Sequence, residues 1–98
     1  MMRVPGTVEF DLGEKKYVCI SVKSTNGKPF DVASAKYILR NGDQQEESGE
    51  CDINQKSDTE TILSALIQPQ IKGATYFLEY TYTIPPEILK TEVKVQVK

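Results

Sequence analysis

An antiparallel two-sheet β-sandwich of about seven strands, built as one domain over residues 1–98, is the fold class that this sequence predicts. Three observations carry it. Val, Ile, Thr, Tyr and Phe make up 32 of the 98 residues, and these side chains suit a pleated, half-buried surface. Apolar and polar residues alternate with period two in several stretches, the pattern of a strand with one covered face. Turn residues separate those stretches at roughly 8–12 positions, the spacing of short sandwich strands.

The first strand is expected over residues 7–12, with Val8, Phe10 and Leu12 on one face and Thr7, Glu9 and Asp11 on the other. A polar turn at residues 13–16 leads to a second strand over 17–23. There Val18, Ile20 and Val22 face one way, and Tyr17, Cys19 and Ser21 the other. Residues 24–29, rich in Ser, Asn, Gly and Pro, have the chemistry of a loop.

Residues 31–60 hold two ambiguities. Asn41-Gly42 between extended runs is a strong short hairpin signal. A two-residue turn there sets Arg40 opposite Asp43, Ile38 opposite Gln45 and Lys36 opposite Glu47, which places two opposite-charge pairs on one face. The alternative is a helix from Val32, capped by Asp31 and ended by Gly42. Likewise Ser57-Asp58-Thr59-Glu60 fits a helix capping box before the apolar run 61–67, and that run also suits a strand buried on both faces. The β-rich surroundings favour strands at both places, with one short helix as the alternative.

Alternation is clearest at the C-terminal end. Over 75–84, Tyr76, Leu78, Tyr80, Tyr82 and Ile84 share a face, opposite Phe77, Glu79, Thr81 and Thr83. Pro85-Pro86 closes this strand, because proline donates no ladder hydrogen bond. Residues 92–98 form the last strand, with Val93, Val95 and Val97 inward, and residues 86–90 connect the two.

Composition excludes much chemistry. With no His there is no Ser-His or Cys-His nucleophile pair and no imidazole metal ligand; no catalytic residue, cofactor or metal ligand is assigned. A net charge of −2 offers no basic stripe for phosphate backbones, so nucleic acid is not an expected partner. No apolar stretch approaches the roughly 18 residues of a membrane span, and residues 1–6 lack the apolar run of a signal peptide. Cys19 and Cys51 are expected reduced, the alternative being one bridge across the sandwich. Seven acids against one base over residues 41–60 read as a solvated, charge-protected edge rather than a calcium loop or a glycosidase carboxylate pair.

Val18, Ile20 and Val22, the Pro29-Phe30 entry to 35–39, Gly73 ahead of Tyr76, and the closing Val93, Val95 and Val97 resemble an immunoglobulin-like sandwich. Tyr76 matches the corner tyrosine that opens the penultimate strand of that superfamily. The chain departs from antibody-type domains: no Trp lies between the cysteines, and Cys51 is not on the penultimate strand. The pattern is more similar to the small immunoglobulin-like proteins and modules of bacteriophage and prophage structural genes, in the neck, tail or capsid surface. That resemblance implies a non-enzymatic virion component, found in the particle or in the bacterial cytoplasm when expressed from a prophage, whose partners are other virion proteins. An immunoglobulin-like module of a bacterial surface or adhesin-type protein, binding protein or glycan, is the second reading. The candidate contact residues are Tyr76, Tyr80, Tyr82, Val93, Val95 and Val97. The C-terminal strand is the expected edge for homo-oligomerisation, since the acidic stretch 44–47 discourages pairing elsewhere.

Overall fold

The computed structural model describes residues 7–24 and 26–98, so the signal-peptide expectation for residues 1–6 falls outside them. Eight strands follow in order: β1 (Thr7–Phe10), β2 (Lys16–Lys23), β3 (Ser34–Asn41), β4 (Gln44–Glu50), β5 (Asp52–Ser57), β6 (Glu60–Ile67), β7 (Thr75–Ile84) and β8 (Glu87–Val97). There is no helix among the described residues. The strands form a five-stranded sheet, β1-β8-β7-β3-β4, and a three-stranded sheet, β2-β6-β5. All pairings among the described residues are antiparallel except β1 with β8, which run parallel.

Alternation fixes which faces meet. Val18, Ile20 and Val22 of β2 and Leu63, Ala65 and Ile67 of β6 turn inward from the small sheet. They meet Tyr76, Leu78, Tyr80 and Tyr82 of β7, Val93, Val95 and Val97 of β8, and Ala35 and Leu39 of β3. Burying each of the larger side chains contributes about 1.5–3 kcal/mol. Two tyrosines of the large sheet also reach across the core. The Tyr80 hydroxyl donates to the Val18 carbonyl at 2.6 Å, and the Tyr37 hydroxyl donates to the Leu66 carbonyl at 3.2 Å. Hydroxyls therefore tie the two sheets together where apolar contact alone would let them slide.

Both helical alternatives resolve to strands. Residues 60–67 alternate between half-buried and buried positions, so β6 is covered on one face fully and on the other only in part. β5 is the strand that the sequence reading lacks: all six of its residues are exposed. It is held by pairing with β6. The first strand ends at Phe10, and Leu12, expected inward, is 50% exposed in the turn that follows. The last strand begins at Glu87, not 92, because Pro85 and Pro86, joined by a cis peptide, make a two-residue turn with Ile84 opposite Glu87.

The β3–β4 hairpin stands where Asn41-Gly42 signals it, with a different register. Asn41 opposes Gln44 and Arg40 opposes Gln45, so the turn is Gly42-Asp43. Gly42 has φ +63°, and no non-glycine residue among those described has positive φ. A two-residue turn with positive φ at its first central position alone is the type that puts glycine there, and this moves the turn by one residue and each cross-strand partner by two. A bulge then adds Glu46 to β4, so that Leu39 opposes Glu47, Ile38 opposes Ser48 and Lys36 opposes Glu50. The expected Arg40–Asp43 and Lys36–Glu47 oppositions are therefore replaced. The Arg40 guanidinium instead lies 3.2 Å from Glu79 and 3.8 Å from Glu92, across β7 and β8.

Candidate interaction surfaces

The six residues singled out as contacts are not presented to solvent. Tyr76, Tyr80, Tyr82, Val93, Val95 and Val97 are 0–4% exposed and belong to the core. Alternation shows that they share faces; the cover supplied by β2 and β6 decides that these faces are internal. The outward row of β7 is Phe77, Glu79, Thr81 and Thr83, with Phe77 37% exposed. The C-terminal strand is likewise not a simple edge, because β1 pairs with it over residues 94–97.

The acidic segment has a structural use. The bulge lets two consecutive side chains, Glu46 and Glu47, both reach the loop between β6 and β7. Glu47 Oε2 accepts the Gln68 N–H at 2.9 Å, and Glu46 Oε2 accepts the Gln70 N–H at 3.2 Å. Glu46 Oε1 also accepts the Tyr76 hydroxyl proton at 2.8 Å, while that hydroxyl accepts the Ile71 N–H at 3.1 Å. Two of the seven acids thus clasp a loop whose backbone donors would otherwise lack partners. No group of three or more Cys, Asp or Glu positioned for a metal ion occurs among the described residues.

Cys19 and Cys51 are both free thiols in different settings. Cys19 is exposed on the outer face of β2, its Sγ 3.1 Å from Ser64 Oγ. Cys51 is buried at the step between β4 and β5, and its N–H donates to the Ala35 carbonyl of β3 at 3.0 Å, one residue beyond the β3–β4 pairing. Cys19 is level with Ser64, which is level with Asp52. Two strand spacings, about 10 Å, therefore separate β2 from the start of β5, beyond the roughly 7 Å Cα separation a bridge tolerates.

Burial, then the charge of Asp52, pushes the Cys51 thiol up to about 11. A thiol reagent is expected to modify Cys19 quickly and Cys51 only after denaturation. Two fast thiols in the native protein would show that the β4–β5 step is open.

The same burial sets an alkaline limit. Cys51 and Tyr80 are neutral when protonated, and the fold raises both, Tyr80 mainly by burial and then by the two cysteines. Above pH 9 the unfolded chain releases protons that the folded chain retains. Stability is therefore full below that pH and falls as pH rises toward 11, by at most about 1.4 kcal/mol per pH unit for each group. Denaturant melts across this window test it, and Cys51→Ala should flatten the decline.

An open pocket of about 390 Å³ lies between the β2–β3 loop and the β7–β8 hairpin. Lys23, Lys28, Phe30, Ile84, Glu87 and Leu89 are among its lining residues. They come from two distant stretches of chain, 23–30 and 82–89, and nothing in their local sequence joins them before the strand order is known. No family model, curated protein or solved structure matches this chain.

Proposed function

We propose that the chain is an immunoglobulin-like sandwich acting as a non-enzymatic assembly module, of the kind found among phage and prophage structural proteins. The strand order carries the reading. A first strand parallel to the last, the β8-β7-β3-β4 succession, and β2-β6-β5 opposite them suit that superfamily's arrangement. Tyr76 supports it at the start of β7, with its hydroxyl bonded to the Ile71 backbone N–H five residues upstream. The engagement of Glu46 and Glu47 with backbone donors supports the non-catalytic reading, since it gives these acids a task other than acid–base chemistry.

The test is mass spectrometry of particles purified from the source of this chain. Presence at a fixed ratio to the major particle proteins is expected. Absence from particles, with the chain found only in the soluble fraction, overturns the virion assignment.

A further inference from the structure

On the side of the sandwich away from β4 and β5, the edge of the large sheet is incomplete. β1 covers β8 only along residues 94–97, and among the described residues the stretch 87–93 has β7 as its sole neighbour. The direction of its backbone groups follows from known bonds. Val97 donates to Ala74 at 3.0 Å and accepts from Gly73 at 2.9 Å, so odd-numbered residues of β8 bond toward β7. Alternation then turns the N–H and C=O of Ile88, Lys90 and Glu92 outward. Lys98, of the same parity, donates outward to Phe10 at 2.8 Å.

The 390 Å³ pocket lies beside this edge, and its size falls in the range of sites that take a side chain or small ligand. Phe30, Ile84 and Leu89 supply apolar lining, while Lys23 and Lys28 stand on the loop side and Glu87 on the hairpin side. Among the described residues, neither lysine is in a salt bridge. The loop wall is held in place. Asn26 Oδ1 accepts from the Lys28 N–H at 3.0 Å, and Ser24 and Phe30 donate their N–H groups to Thr59 and Asp58 of the β5–β6 turn at 2.9 and 3.1 Å.

We propose that this notch is a strand-acceptor site for an extended segment of a partner polypeptide. The guest pairs with the outward groups of Ile88, Lys90 and Glu92, in line with β1. Its alternate apolar side chains cover Leu89 and Phe30, and a carboxylate meets Lys23 and Lys28. Unpaired edge backbone selects an extended chain, the pocket selects apolar side chains at every second position, and the two ammonium groups select an acid. The inference rests on the reading of this chain as a protein-binding module and names the chemistry of the partner.

Amide hydrogen exchange on the full chain tests it, with the blocked hexapeptide Val-Thr-Val-Thr-Asp-Thr, whose valines and aspartate share one face when extended, as probe and its Asp→Asn form as control. The expected result is fast exchange at Ile88, Lys90 and Glu92 in the free protein, slowed about tenfold or more by the acidic probe, with the control binding about tenfold more weakly. Lys23→Gln with Lys28→Gln should abolish the preference for the acidic probe while the denaturation midpoint is kept, since Lys23 stands opposite Glu60 and a neutral residue there sets no like charges against each other. No protection by either probe overturns the proposal. So does protection already present in the free chain, whether it disappears on removal of residues 1–6 or grows with protein concentration, since the chain itself or a second copy is then the occupant. Probe binding by a chain absent from particles would sink the virion assignment and leave this site standing; the reverse result would do the opposite.

Discussion

Tyr80→Ala is expected to cost about 3–5 kcal/mol, a large share of the 5–15 kcal/mol that holds a domain of this kind together. The ring is fully buried, and its hydroxyl makes the shorter of the two tyrosine hydrogen bonds joining the sheets. Removing it opens a cavity between β7 and β2 and leaves no link at that level. Tyr80→Phe keeps the ring and loses only the bond to Val18, for about 1 kcal/mol. Denaturant midpoints at unchanged slope read both numbers. If alanine cost less than phenylalanine is expected to, the core would be repacking around the gap, and Tyr80 would not be what sets the sheet-to-sheet distance.

Glu46→Ala is the second large effect, about 1–3 kcal/mol, because it strips a charged acceptor from both the Tyr76 hydroxyl and the Gln70 N–H. Tyr76→Phe removes the same hydroxyl from the other side and also deprives Ile71 of its acceptor. The two changes share a bond, so the double variant should cost less than the sum of the singles, with a coupling of about 0.5–3 kcal/mol. Glu50→Ala, at an exposed position of the same strand, is the control and should stay within about 0.5 kcal/mol of the parent. Additive costs for Glu46 and Tyr76 would show that the clasp on the β6–β7 loop is not formed in solution.

The elements read correctly from sequence are those whose pattern is strong and whose neighbours impose nothing further. Residues 75–84 alternate without interruption, and β7 occupies that range. Val18, Ile20 and Val22 all turn inward as alternation requires. What escaped was set by distant partners. β5 carries no apolar row, and only the waiting edge of β6 makes it a strand. The start of β8 was hidden because Ile88 and Leu89 are adjacent apolar residues of which only Leu89 turns toward the pocket, leaving Ile88 69% exposed.

The hairpin register depended on a choice between turn types that Asn-Gly leaves open, and on a bulge whose reason is the loop that Glu46 and Glu47 reach. For the contact residues, period two shows that Tyr76, Tyr80 and Tyr82 travel together. It carries no information on which side the second sheet lies. The pocket was beyond local reading altogether, because its walls meet only through the pairing of β7 with β8 and the bonds from the loop to the β5–β6 turn.

The parallel pairing of β1 with β8 also sets how this domain bears load. Thr7 to Phe10 lie beside residues 94–97, so tension applied through the two ends of the domain pulls these neighbours lengthwise past each other. Bonds arranged across such a pull share it and fail together, whereas those of a hairpin pulled from its open end break in succession. A strand of four residues, anchored in the core by Phe10, thus acts as a mechanical latch, and single-molecule stretching should show one abrupt rupture as β1 leaves β8.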